Sequence, residues 1–397
     1  MAGAYPTRFA SGARRGAALV ACACAVCLSA CTGPSAAADA ADGPDSPFWV
    51  EPAGRAAKQV QTWLERGREE DAEAMRRIAD RPTAVWMTGG DPREQVGEVT
   101  REAERAGRIP LLVAYNIPQR DCGQYSSGGV RDAAAYRSWV ASAAAGIGGR
   151  KAWVVLEPDA IAQWASGCVP ASAAGERLRL LSEAVRTFKR QPGTSVYIDA
   201  GNAGWISDQR LLAEALTKAG VAQADGFALN VSNFHTTPVT REYGDRLSAR
   251  LGGAHYIIDT SRNGNGPLPP PASRPGPSPA PGPTALAADD SAGTGTGSGD
   301  EAWCNPPGRA LGTPPTTATG DPLVDAFVWV KRPGESDGAC RGAPPAGHWW
   351  AEYALGLAKT VPSVPAQTPP AQTPPAAPVS VPAPAVPAPA PAPAAHP

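Results

Sequence analysis

The chain has 397 residues, a formal net charge of −1, 43 % hydrophobic and 18 % charged residues. With no long basic run it offers no footing for nucleic acid or an anionic membrane surface. No P-loop, GxSxG elbow or dinucleotide glycine fingerprint occurs, which removes those chemistries from consideration.

The first elements are processing signals. A basic stretch with Arg8, Arg14 and Arg15 precedes an apolar run over 17–30 and then small residues. That pattern predicts a secretory signal over 1–31, too short to span a bilayer. Leu28-Ser29-Ala30-Cys31 also fits a lipoprotein cleavage box, which would leave a lipid anchor on Cys31. Cleavage near the alanines at 36–41 is the alternative. A linker is expected over 32–48 and one catalytic domain over 49–360. A Pro/Gly/Ser-rich insertion at 267–300 interrupts that domain, and a Pro/Ala-rich tail over 361–397 is expected to be disordered and polyproline-like. Four of the eight cysteines lie in the leader. The others, Cys122, Cys168, Cys304 and Cys340, show no CxxC spacing, and the histidines are scattered, so no metal is expected. An even number in an exported chain suggests two disulfides, with three pairings open.

Seven apolar runs read as strands, at 84–87, 111–115, 153–156, 196–198, 227–229, 256–258 and 327–330. Amphipathic helical segments separate most of them. The clearest sets Leu178, Leu181, Val185 and Phe188 on one helical face. Such alternation predicts a parallel sheet. Polar groups follow nearly every strand, whereas an open sheet would gather them at one switch point. The expected fold is therefore an α/β class, seven-stranded parallel β/α barrel.

In such barrels the carboxyl ends of the strands do the chemistry. Trp86 ends the first strand, and the second opens into Tyr115, Arg120, Asp121 and Ser127. The third ends in Glu157-Pro158-Asp159, and the last in Lys331, Glu335 and Asp337. Asp199, Asn202 and Trp205 follow the fourth, Asn230 and Asn233 the fifth, Asp259 and Arg262 the sixth. Carboxylates with tryptophans in one cleft suit a polysaccharide, whose sugar rings stack on indoles and whose hydroxyl rims need polar partners. Breaking a glycosidic bond needs one carboxyl kept protonated and a second group to handle water. Asp121 and Asp159, on successive strands, are placed to couple in that way. Trp86, Trp205 and Trp303 flank loops and read as stacking platforms, while Trp153, Trp329, Trp349 and Trp350 read as packing. Arg120 and Lys331 have a plainer reading as partners of neighbouring carboxylates.

Seven blocks occur in order: YNIPQRDCGQYSSGG (115–129), EPDAIA (157–162), YIDAGNAGW (197–205), NVSNF (230–234), IDTSRNGNG (258–266), WCNPPGRALG (303–312) and DAFVWVKRPGESDG (325–338). Together they resemble secreted actinobacterial members of glycoside hydrolase family 6, the endoglucanase and cellobiohydrolase family. The resemblance implies a distorted barrel and inverting hydrolysis of β-1,4-glucan without a cofactor. It implies Asp159 as general acid, and Asp121 as the group that raises the acid's pKa and organises water. Tyr115 crowds the distorted sugar, Ser127 belongs to a mobile water-holding loop, and Asp337 is the proposed base. Trp86, Arg120, Asn202, Trp205, Asn230, Trp303, Lys331 and Glu335 are expected to bind substrate. Disulfides Cys122–Cys168 and Cys304–Cys340 are implied as well. Two departures stand out: bacterial relatives have a much shorter connection at 267–300, and some have histidine at the position of Asn202. The insertion's composition favours a loop into solvent.

The short segment 340–347 leaves an open cleft, hence internal cleavage. No separate carbohydrate-binding module is expected, so soluble glucans or amorphous cellulose are the expected substrates. A monomer that binds only glucan is expected, with no nucleic-acid partner, either secreted or lipid-anchored on the outer membrane face. The competing readings are a cellobiohydrolase acting from chain ends and a non-catalytic glucan-binding lipoprotein.

Overall fold

The structure, a computed structural model, describes residues 46–269 and 302–362. The expected leader, nearly all of the insertion and all but two residues of the tail lie outside them.

Helices α1 (Arg55–Glu65) and α2 (Glu69–Ala79) precede strand β1 (Val85–Met87). Then come α3 (Arg93–Arg105), β2 (Leu111–Ala114), α4 (Ala133–Ile147) and β3 (Ala152–Leu156). Two helices, α5 (Ala160–Ala165) and α6 (Ala171–Lys189), lead to β4 (Thr194–Asp199). After α7 (Gln209–Lys218), β5 (Gly226–Leu229), α8 (Thr237–Arg250) and β6 (Tyr256–Asp259), the chain reaches β7 (Val324–Val328) and α9 (Ala351–Lys359). All seven strands are parallel and lie in sequence order. The sheet curls until Ala84 N, ahead of β1, donates to Trp329 O, beyond β7, at 3.0 Å. The fold is the expected distorted seven-stranded barrel.

The strands are mostly apolar because both faces are covered. Leu111, Val113, Val155, Ala228, Ile257 and Val328 point inward, with Phe48 and Trp153 packed on the same inner cluster. The alternate residues Leu112, Ala114, Val154, Val196, Ile198 and Phe227 meet the helical shell. Leu178, Leu181, Val185 and Phe188 are all buried on α6, as their spacing predicts. Each such side chain contributes about 1.5–3 kcal/mol through burial. A third cluster joins α1, α2 and α9 around Trp63 and Met75, with Trp349 against it.

The last strand departs from expectation. It covers Val324–Val328 and not 327–330. Beyond it, Val330 N and Lys331 N donate to the carboxylate of Asp259, at 3.3 and 2.9 Å. That carboxylate also accepts from Ser261 N at 2.9 Å and Ser232 N at 3.0 Å. One buried side chain thus replaces the ladder and turns three strand-end loops toward the same face.

Candidate active site

The strand carboxyl ends open into one cleft of about 1060 Å³. Every expected catalytic or sugar-binding residue lines it except Asn230. Asn230 is fully buried, its Nδ2 donating to Asp259 O at 2.9 Å and His235 O at 3.1 Å, while its Oδ1 accepts from His235 N at 3.1 Å. That amide ties the ends of β5 and β6 together and does not face a sugar. Arg120 lies in the wall, but its guanidinium donates to Tyr115 O at 2.6 Å and Ser126 O at 2.8 Å, and stacks 4.6 Å over the Tyr115 ring. It holds the loop to the tyrosine.

The loop after β2 is built under tension. Gln119, Asp121 and Cys122 have φ of 55°, 59° and 47°, and Gly123 follows at 86°. Left-handed backbone at non-glycine residues costs roughly 1–3 kcal/mol each unless the surroundings impose it. Here Asn116 N reaches both oxygens of Glu157, and Ile117 N one of them, all at 3.0 Å. The Cys122–Cys168 disulfide ties the loop to the region after α5, and the second bridge joins Cys304 to Cys340, both as expected. Asp121 accepts from Ser126 N at 2.6 Å through Oδ2, and burial raises its pKa. Ser127 is exposed at the loop's rim, its N donating to Gln124 O at 3.0 Å.

Asp159 stands before α5 with φ 70°. Its N donates to Asp199 Oδ1 at 2.8 Å, an oxygen that also accepts from Gly201 N at 3.1 Å. Burial, then the neighbouring charges of Asp199 and Asp121, push the Asp159 carboxyl well above the usual range, Lys331 opposing them. Asp199, fully buried with Oδ2 lacking a hydrogen-bond partner among the described residues, is itself raised to about 7 by burial. Burial, then the charges of Asp159 and Asp121, keep the Tyr115 hydroxyl neutral.

Asp337 meets the opposite environment. Oδ2 accepts from Arg262 Nη1 at 2.8 Å and Asn305 N at 3.0 Å, and Oδ1 lies 3.0 Å from Lys331 Nζ. Burial pushes its pKa up, but the two cations outweigh it and hold the carboxyl below its ordinary value. Glu335 faces Arg55 of α1 at 3.5 Å and Arg332 at 3.7 Å.

Trp205 and Trp303 present 39 % and 38 % of their surface, as platforms require. Trp86 differs: its indole N donates to Val330 O at 2.9 Å and its ring meets Tyr115 edge-on at 5.3 Å. Asn202 faces the cleft with Oδ1 accepting from Gly204 N at 3.0 Å. Sequence reasoning noted Glu157, Asp199, Asp259 and Arg262 as strand-end groups without giving them a role, and passed over Gln163, His235 and Arg55, which line the cleft. Asp199 and Asp259 carry a usable signal, an apolar run ending in aspartate; Arg55, from a distant helix, carries none.

The sequence profile described as "Glycosyl hydrolases family 6" matches residues 44–361. Endoglucanase A of Cellulomonas fimi is 38 % identical over 320 residues, 80 % of this chain and 62 % of that protein. Endoglucanase 1 of Streptomyces halstedii is 36 % identical over 331 residues, 81 % of this chain and 91 % of that one. The chain thus spans about three fifths of the Cellulomonas protein's length. Among solved structures, the endoglucanase Cel6 from Mycobacterium tuberculosis, in complex with methyl-cellobiosyl-4-deoxy-4-thio-β-D-cellobioside, superposes with a TM-score of 0.67 at 38 % identity. That match covers 79 % of this chain and 97 % of the other.

Proposed function

The chain belongs to the glycosyl hydrolases of family 6, and from that premise we propose that it is an inverting endo-β-1,4-glucanase working without a cofactor. One observation carries the reading: Asp159 sits in a tryptophan-lined cleft, with burial and two neighbouring carboxyls keeping its proton on. A carboxyl so held can donate to the glycosidic oxygen as the bond to the anomeric carbon breaks. A water attacks that carbon from the opposite face, so the new reducing end has the α configuration.

Asp121, with Oδ1 unbonded to protein among the described residues, is assigned to align this water and accept its proton, with Ser127 at its rim. Tyr115 crowds the sugar at the cleavage point. Asp337, kept ionised by Arg262 and Lys331, is a weak proton acceptor, so its ion pairs favour an electrostatic part over the base role. Trp205, Trp303 and Asn202 bind flanking sugars, with Lys331 and Glu335 meeting hydroxyls.

Internal cleavage is supported by the segment after Asp337. Ser336 N donates to His348 O and Gly347 N to Ser336 O, both at 2.9 Å, so it folds back on itself. Names given to the relatives at 36–38 % identity agree. Export follows from the leader and the two disulfides, and a lipid on Cys31 would hold the enzyme at the outer membrane face.

The test is purified protein on barley β-glucan and carboxymethylcellulose, with viscosity, reducing ends and anomeric configuration followed together. Fast viscosity loss and α-configured products are expected. Release of reducing ends without viscosity loss would indicate a cellobiohydrolase, and intact glucan a binding protein.

A further inference from the structure

Beside the cleft, whose wall includes Gln163, lies a set of buried polar groups that the chemistry above does not use. Arg177 of α6 is 4 % exposed, Gln163 of α5 4 %, Tyr136 1 % and Glu157 0 %. Arg177 Nη2 donates to Pro118 O and Gln119 O, each at 3.0 Å, and Nη1 donates to Gln163 Oε1 at 3.2 Å. Gln163 N in turn donates to Asp159 O at 2.7 Å.

We propose that Arg177 is a positioning residue: it braces the segment just before Asp121 against the helix that Asp159 heads, and so sets how the two carboxyls face each other across the scissile bond. The inference rests on the roles assigned to Asp159 and Asp121. One side chain connects the two segments through three acceptors, two on the loop and one on the helix. The loop needs such a brace because its left-handed residues at 119, 121 and 122 begin where Arg177 grips it. The Cys122–Cys168 disulfide ties the residue after Asp121 to the segment that follows the same helix, and Cys168 N donates to Gln163 O at 3.1 Å. A covalent tie and a guanidinium fork therefore flank Asp121.

Arginine is the residue type such a brace needs. Its planar fork places two nitrogens in fixed directions, whereas a lysine ammonium acts from a single point. The cation is tolerated in the interior because Glu157 lies nearby, and Glu157 holds the start of the same loop through Asn116 N and Ile117 N. Charge-assisted bonds to carbonyls are stronger than neutral ones, which suits a strut that opposes backbone strain.

The consequence is kinetic and electrostatic. The charge of Asp121 is among the causes keeping Asp159 protonated. A slackened loop would carry that charge away, so the acid would lose its proton at lower pH.

Arg177→Met and Arg177→Lys decide the matter. A misplacement of about 1 Å at a reacting group costs on the order of 100-fold in rate. In Arg177→Met, kcat on barley β-glucan should fall about 10- to 100-fold with KM held within about two-fold, and the basic limb of kcat/KM should move to lower pH. Arg177→Lys should keep the melting temperature near that of the wild type yet fail to restore kcat. It covers the case in which the methionine variant does not fold. Hydrogen exchange supplies a readout free of activity: the amides of Gln124, Ser126, Ser127 and Val130, bonded within the loop or to its base, should exchange faster in either folded variant, with the barrel strands unchanged. Unaltered exchange in this loop, an unmoved basic limb, or a rise in KM with kcat intact would overturn the proposal. If the wild type hydrolyses no β-glucan, the functional reading falls by itself, and the exchange result still accepts or rejects the brace.

Discussion

Asp159 and Asp337 both follow a parallel strand and line the same cleft, the first three residues past β3 and the second nine past β7, yet one has carboxyls for neighbours and the other cations. Around Asp159, Asp199 and Asp121 add negative charge to a buried site, and the proton stays. Around Asp337, Arg262 and Lys331 lie within 3.0 Å and the proton leaves. Burial pushes both groups the same way, so the difference comes from the partners alone. A strand-end aspartate is therefore not a role. Its chemistry is decided by the side chains that the fold brings beside it, most of them from other strands.

The sharpest way to break this contrast is Asp159→Ala. Losing a general acid should lower kcat on barley β-glucan by roughly 100- to 10,000-fold. Substrates with a good aryl leaving group should lose far less, since they need little protonation. Equal losses on both would show that Asp159 serves the fold and not proton transfer.

On the other side, Arg262→Ala should act chiefly on stability. It would leave the buried Asp337 carboxylate with Lys331 as its remaining cation and Asn305 N as its donor, and Arg262 is 0 % exposed. Breaking a buried pair from one side costs about 3–5 kcal/mol, measurable by urea unfolding. Asp337→Asn should cost activity without moving the acid's limb of the pH profile. A shift of that limb would mean the two regions are not electrically separate.

Much of this was legible beforehand because it rests on local patterns. Apolar runs placed all seven strands, and the spacing on α6 identified its buried face. What failed depended on partners far away in sequence. The last strand stops at Val328 because Asp259, on another strand, takes the next amides. Asn230 looked like a sugar ligand by its place, but its amide is taken by backbone of its own loop and of β6. Arg120 reads the same way from the chain as Lys331 does, and only the structure separates a loop strap from a cleft ammonium. Whether an aspartate is held neutral or charged is a property of its neighbours, which no single segment contains.

A smaller effect sharpens the Asp159 side. Replacing Asp199 by asparagine removes one of the charges that hold the acid's proton, so the basic limb of kcat/KM should move to lower pH. Stability gives an independent check. Asp199 has a folded pKa near 7 against an ordinary 3.8, so the folded state binds more protons through that window. Its contribution is fully present below about pH 4 and is lost as pH rises toward 7. Asp199→Asn should flatten the fall in stability measured by denaturant titration between those limits. A steeper fall, or an unmoved kinetic limb, would remove Asp199 from the account.

The smallest expected effect concerns the platforms. Trp205 is well exposed and has no aromatic partner among the described residues, whereas Trp86 is edge-on to Tyr115 and bonded to Val330 O. Trp205→Ala should therefore raise KM on glucan by about ten-fold or less, near 1 kcal/mol of lost stacking, and leave kcat almost unchanged. Trp86→Ala should lower kcat as well, because Tyr115 loses the ring that fixes its tilt. Initial rates across a substrate series separate the two. If Trp205→Ala lowered kcat with KM intact, its indole would be acting at the reacting sugar, and the division between platform and catalytic support would have to be redrawn along the cleft.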